Sequence, residues 1–233
     1  MHFLLTNDDG NHAPGLAALA AAIELMGGRC TIVAPAHEHS ECGHRVTTRQ
    51  PLRVESAGTG RHAVYGTPAD CVRIALFGLN LKPDVVLSGV NQGGNMGQDL
   101  FISGTVAAAR EAAFHGLRAM ALSHYVISDL GFDWPRVSAW TAEITGRLLD
   151  ETLQDGEYWN VNFPHLTPGA LPLPKTVLTQ PARSPLNVSF DTPAGSIDTV
   201  YHYTARYADR PQDAGSDVAA CFGGKVSVST LRV

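Results

Sequence analysis

Two periodicities alternate along the first two-thirds of the chain. Short apolar runs, "HFLLTN", "RCTIVAP", "DVVLSG", "RAMALS" and "YWNVNFP", are separated by longer segments in which apolar residues return every few positions. Side chains alternate faces along a strand and return to one face of a helix about every 3.6 residues, so the runs predict strands and the segments predict helices. The helices are expected from Pro14 to about Met26, and over "TPADCVRIALFGL", "TVAAAREAAFHG" and "RVSAWTAEITGRLLDETL". Thr67 stands at the cap of the second, with Pro68 at its first position and Asp70 three residues after the cap. Residues 46–54 and 61–65 predict a hairpin. Apolar strands joined by helices predict an α/β fold: a Rossmann-like, doubly wound, mostly parallel sheet.

The pattern changes after Pro164. Pro164, Pro168, Pro172, Pro174, Pro181, Pro185 and Pro193 argue against a compact helical region. "TVYHYTARYA" alternates like a strand, and "KVSVSTL" reads as another. The 233 residues suffice for one well-buried domain, with a core over 1–164. Residues 165–233 form an expected C-terminal arm or hairpin that needs another surface, which a second subunit would supply.

Composition narrows the function classes. A net charge of -5 and a pI of about 6.0 lack the basic excess of a general nucleic-acid binder, so no nucleic-acid polymer is expected as partner. Charge or glycine interrupts every apolar stretch before it could span a bilayer, so no membrane association is expected. No signal-peptide pattern opens the sequence. Cys30, Cys42, Cys71 and Cys221 form no CxxC or zinc spacing, which fits a reducing cytoplasm.

The candidate chemistry begins with "LLTNDDG", where two adjacent carboxylates end the first strand without a basic neighbour. In doubly wound sheets ligands bind beyond the carboxyl ends of the strands. There the loop after Asp8 and Asp9, the loop "APAHEHSECGH" and the loop "SGVNQGGNMGQDLFISGT" would converge. They bring Ser40, Asn91, Asn95 and Ser103, an oxygen-rich set that suits a hard dication such as Mg²⁺ or Mn²⁺. The competing reading of Asp8 and Asp9 is turn or cap chemistry. The third loop favours binding, since it holds five glycines and ends in Ser103-Gly104-Thr105 at the start of an alanine-rich helix. A helix N-terminus with free N–H groups favours an anion such as phosphate. The loop matches neither GxxxxGK[ST] nor GxGxxG.

"LLTNDDG" with "HAPGLAALA", "GTPADCVRIAL", "SGVNQGGNMGQDLFISGTVAAAREA" and "GSDVAACFGGKVSVSTL" resemble the SurE survival-protein family of 5′-nucleotidases over nearly the whole chain. The resemblance implies a Rossmann-like core, a C-terminal arm exchanged between subunits, and homodimers or homotetramers. It implies metal-dependent hydrolysis of nucleoside 5′-monophosphates, extending in the family to other nucleotides such as 3′-nucleotides and to polyphosphate. One divalent ion per subunit would be held by Asp8, Asp9, Ser40 and Asn91. Asp8 and Asp9 are the expected catalytic carboxylates, and Asn95, Ser103, Gly104 and Thr105 the expected phosphate contacts. The chain departs from the family pattern at Glu41, where glycine is usual, at Ile102, where tyrosine is common, and at Lys225, which replaces an aromatic.

Two other readings compete. A nucleotide-binding regulatory module would keep the ligands without turnover. A haloacid-dehalogenase-type phosphatase would need DxD, which "NDDG" does not supply. His12 at a helix start, the loop histidines His37, His39 and His44, and Arg45 are expected to be solvated. Trp134, Trp140 and Trp159 are expected in the core or at a subunit contact.

Overall fold

The computed structural model describes residues 1–169, 172–192 and 200–233, so Pro193 lies outside the described residues. Its central sheet runs in the order β3 (Val54–Ser56), β4 (Arg61–Val64), β2 (Arg29–Pro35), β1 (His2–Thr6), β5 (Val85–Gln92), β6 (Arg118–His124), β7 (Glu157–Phe163), β11 (Val226–Arg232), β8 (Thr176–Leu178). The core strands are β1, β2, β5, β6 and β7. These pair in parallel, as apolar runs joined by helices require. At one edge β4 (Arg61–Val64) pairs parallel with β2 and antiparallel with β3 (Val54–Ser56). The hairpin therefore forms, but its first strand starts at Val54 rather than 46.

Successive residues of β1 divide between two cores. Phe3 and Leu5 pack with Leu16 and Ile23 of α1 (Pro14–Leu25) and Trp140 and Ile144 of α5 (Trp134–Leu149). Leu4 packs on the other face with Val72 of α2 (Pro68–Arg73), Leu100 of α3 (Asp99–Ile102) and Val106 and Ala109 of α4 (Gly104–Phe114). Both faces are dry, which explains why the strands read as continuous apolar runs. Trp140 and Trp159 are core residues and Trp134 packs against them. Thr67 and Asp70 form the expected capping box at α2. The helix expected over 67–79 does not stay α-helical, because Ile74–Gly78 widen into a π-helical turn.

Residues beyond Pro164 do not stand apart from this sheet. β11 (Val226–Arg232) pairs antiparallel with β7, and β8 (Thr176–Leu178) pairs parallel with β11. A short α6 (Asp217–Phe222) forms past Pro211, with Ser216 capping it through the Ala219 amide. Among its described residues the alternating "TVYHYTARYA" segment forms a small ribbon of β9 (Phe190–Asp191) with β10 (His202–Tyr203), extended by a bond from the Thr204 amide to the Ser189 carbonyl at 2.9 Å. Phe190, Tyr201 and Tyr203 are exposed on it. No helix is long and apolar enough to cross a membrane among the described residues.

Candidate active site

Because β2, β1 and β5 are parallel neighbours, the loops after them meet at one edge of the sheet. Main-chain bonds then join the loops to one another. The His39 amide donates to the Asp8 carbonyl at 2.8 Å, and the Gly43 amide donates to the Ile102 carbonyl at 2.8 Å. The Asn7 side chain donates to the Gly10 carbonyl at 2.9 Å and closes the turn that presents the two aspartates. The result is a cavity of about 660 Å³ whose lining includes Asp8, Asp9, Ser40, Asn91, Asn95 and Ser103. Six residues that the sequence separates by up to 95 positions thus line one cavity.

The two carboxylates differ in their support. Burial raises the Asp8 carboxyl, and the Thr105 hydroxyl and the Gly104 and Thr105 backbones oppose that rise by binding its charged form. Asp9 accepts only a long bond from the Gln92 amide, at 3.4 Å. Its carboxyl is raised to about 6 by burial first and by the charge of Asp8 second. Among the described residues neither aspartate forms an ion pair. The two carboxylates line one cavity without a basic partner among the described residues, a charge that a bound cation would offset.

The neutral residues are oriented to help hold one. Ser40 Oγ donates its proton to Glu38 at 2.6 Å, so its lone pairs are available. Asn91 donates its amide nitrogen to the Gly93 carbonyl at 2.8 Å, which leaves Oδ1 as a free acceptor. No trio of His, Cys, Asp and Glu side chains forms a metal-type group among the described residues, so any ion here depends on these neutral oxygens. The donor set is all oxygen and fits a hard dication.

The expected phosphate contacts divide into two groups. Asn95 and Ser103 line the cavity. Ser103 also caps α4 by accepting from the Val106 amide, and its own proton remains for a ligand. Gly104 and Thr105 serve Asp8 instead. Thr105 is fully buried with its hydroxyl on Asp8 Oδ1, and a Cβ at Gly104 would lie 2.8 Å from the Asp8 Cβ. The anion at this helix N-terminus is therefore the protein's own aspartate. Asn95 is held rigidly, its backbone bonded by Asn160 and Asn162 and its side chain donating to Ser123 Oγ at 2.8 Å.

Sequence reasoning missed the C-terminal part of the cavity lining. Leu186, Asn187, Tyr203, Arg206 and Tyr207 line the same cavity from the C-terminal region. Asp99 anchors that part, accepting 2.8 Å bonds from both terminal nitrogens of Arg210 and a 3.0 Å bond from the Tyr207 hydroxyl. The alternation of "YHYTARYA" was the available signal, yet it indicated only a strand. His12 is exposed as expected, whereas His44 is not a solvated loop residue, since it bonds to the buried Glu111 at 2.7 Å.

The departure at Glu41 has a backbone consequence. Glu41 has φ 56, a left-handed conformation that glycine adopts without steric cost. It also adds a fifth carboxylate to a cavity lining that holds Asp8, Asp9, Glu38 and Asp99. Glu41→Gly is expected to stabilise the protein by about 1 kcal/mol, read as a higher midpoint in urea unfolding. An unchanged or lowered midpoint would show that the side chain compensates for its backbone.

Known proteins share this fold and much of this sequence. The profile described as "Survival protein SurE" matches residues 3–184. The chain is 43% identical over 233 residues to a putative 5′-nucleotidase of Nostoc sp., covering all of both sequences. It is 38% identical over 235 residues to the 5′-nucleotidase SurE of Geobacter sulfurreducens, covering 100% of this chain and 88% of that protein. The crystal structure of the SurE protein from Aquifex aeolicus superposes with a TM-score of 0.86 at 31% identity, over 100% of this chain and 93% of that one. The chain belongs to the SurE survival-protein family.

Proposed function

We propose that this protein is a metal-dependent 5′-nucleotidase that hydrolyses nucleoside 5′-monophosphates to nucleoside and phosphate. One observation carries the reading: Ser40 and Asn91 direct their protons away while two unpaired aspartates share their cavity. Asp8, Asp9, Ser40 and Asn91 would hold one Mg²⁺ or Mn²⁺ ion. When bound, such an ion supplies Lewis-acid polarisation of the phosphoryl group and offsets its charge.

The chain's own residues divide the remaining work. Asp8, fixed by Thr105 and the start of α4, keeps one oxygen position constant. Asp9, with a single long hydrogen bond, is free to orient a water for in-line attack and to accept its proton. The Ser103 hydroxyl donates to a phosphoryl oxygen. The nucleoside extends toward Tyr203 and Arg206, where a planar base finds aromatic and cationic side chains. Activity on 3′-nucleotides and polyphosphate belongs to the same proposal, because the cavity wall of Leu186, Asn187 and Tyr203 imposes no ion pair on the leaving group.

The subunits associate through the C-terminal ribbon as homodimers or homotetramers. Phe190 and Tyr201 are 54% and 66% exposed there, outside the cavity lining, an apolar surface that a second copy would cover. A cytoplasmic location accords with four free thiols.

The test is phosphate release from purified, chelator-stripped protein across a panel of 5′- and 3′-nucleotides and polyphosphate, with Mg²⁺ or Mn²⁺ restored. Release from 5′-monophosphates that depends on added metal is expected. Release without metal, or none from any nucleotide, would overturn the proposal.

A further inference from the structure

Glu111 is a carboxylate that the proposed chemistry does not use. It lies in α4, 1% exposed, and is bonded from three directions. Arg73 Nε of α2 donates to it at 2.6 Å, His115 lies at 3.0 Å, and His44 Nε2 lies at 2.7 Å. Burial alone would raise the Glu111 carboxyl, but the bonds from His44, Arg73 and His115 outweigh it and hold the carboxyl at about 2. A buried charge needs partners. What is unusual is that one of them comes from the loop carrying Ser40.

That loop has reason to need an external tie. Residues 38–45 have no regular structure, and two of them, Glu41 and Gly43, have positive φ at 56 and 55. A backbone in sparsely populated conformations persists when its surroundings over-determine it. Two main-chain bonds, to Asp8 and Ile102, hold the loop on the cavity side. On the far side, Thr67 donates to the Arg45 carbonyl at 2.6 Å, and the Thr47 amide and hydroxyl both donate to Asp70. His44 is the tie to α4, the helix whose first turn binds Asp8.

The surroundings of His44 also define its tautomer. Nε2 faces the Glu111 carboxylate and donates to it. Nδ1 lies 3.5 Å from the Arg110 guanidinium and so presents its lone pair. Arg110 itself donates to the Leu100 carbonyl and to the Tyr158 hydroxyl. His44 thus bridges a cation and an anion on successive positions of α4, and the Phe114 ring lies 5.9 Å from its own.

We infer that His44, locked between Glu111 and Arg110, is a positioning residue that sets Ser40 at the ion site. The inference rests on the metal-dependent reading of that site. Groups hydrogen-bonded directly to metal ligands change affinity by about 10–100-fold when removed, and His44, which acts one step further back through the loop backbone, takes the low end of that range. Ser40 is four residues from His44, and the intervening Glu41 and Gly43 transmit a displacement of the loop to it.

The test compares wild-type protein with His44→Ala and His44→Gln. Mn²⁺ binding is followed by electron paramagnetic resonance, and hydrogen exchange is followed over residues 36–47. His44→Ala is expected to weaken Mn²⁺ by about 10-fold, to speed exchange in 39–45, and to raise the metal needed for half-maximal activity more than it lowers kcat at saturating metal. His44→Gln keeps a donor to Glu111 and is expected to restore most of the affinity. Should His44→Ala fail to fold, His44→Phe, which keeps the ring volume but has no donor for Glu111, is expected to show the same loss. A folded His44→Ala protein with wild-type Mn²⁺ affinity and wild-type exchange would overturn the inference, as would a His44→Gln protein no better than alanine. Wild-type protein that binds no Mn²⁺ contradicts the functional reading instead. The exchange of 39–45 then judges the tie alone, and unchanged exchange in His44→Ala overturns it.

Discussion

Asp9→Asn is expected to lower phosphate release at saturating metal by at least about 10³-fold while leaving the fold intact. Asp9 is the less supported of the two aspartates, with one 3.4 Å bond from Gln92. Asparagine keeps the size and that acceptor but cannot take a proton from water, and it removes a full charge from the ion site. No buried network depends on it, so circular dichroism and the unfolding transition should be retained. In chelator the variant is expected to be more stable than the parent, because burial and the neighbouring charges of Asp8 and Glu38 disfavour ionised Asp9 in the folded chain. An acid whose folded pKa is raised costs stability once pH exceeds the unfolded value, and the cost is complete only above the folded value of about 6. The gain should therefore be full at pH 7, shrink as pH falls from about 6 to about 4, and vanish below that. Undiminished turnover in this variant would remove Asp9 from the mechanism.

Gly104→Ala is expected to reduce activity by about 10²-fold through Asp8 rather than through any lost contact with substrate. A Cβ at Gly104 would stand 2.8 Å from the Asp8 Cβ, 3.0 Å from Asp8 Oδ2 and 3.0 Å from Cys42 Sγ. Neither neighbour can yield easily. Asp8 is held by the Thr105 hydroxyl, and Cys42 sits in the loop tied to the Ile102 carbonyl one residue later. The methyl group must displace the carboxylate or the start of α4, at a cost of about 1–3 kcal/mol in stability. The expected signature is weaker Mn²⁺ binding together with a lower unfolding midpoint. Wild-type activity in a folded Gly104→Ala protein would show that the carboxylate tolerates the shift and that its placement is not as tightly set as the contacts indicate.

These two positions also show how much of the molecule was legible in its sequence. Strands and helices of the core followed from periodicity, because both faces of the sheet are covered and local pattern suffices. The capping box at Thr67 and Asp70 was readable for the same reason, its bonds spanning three residues. The convergence of Asp8, Asp9, Ser40 and Asn91 followed from topology, since loops after parallel strands share one edge. What failed was long-range pairing. Thr105 looked like a phosphate ligand at a helix start, and only the approach of Asp8, 97 residues away, shows that its hydroxyl is already engaged. Asp99 and Arg210, 111 residues apart, had no local signal at all. His44 was expected to be solvated because a loop histidine gives no sign of a carboxylate 67 positions on. The region after Pro164 looked detached because proline density reports the absence of helix, whereas β8 and β11 join the sheet through main-chain pairing that side chains do not announce.

The central claim is that hydrogen-bond direction leaves four oxygens facing one dication. Anomalous scattering from a crystal of the chelator-stripped protein soaked in Mn²⁺ tests it most directly. One peak per subunit is expected within coordination distance of the Asp8 and Asp9 carboxylates, Ser40 Oγ and Asn91 Oδ1. A manganese peak elsewhere, with Ser40 and Asn91 turned from the aspartates, would contradict the account.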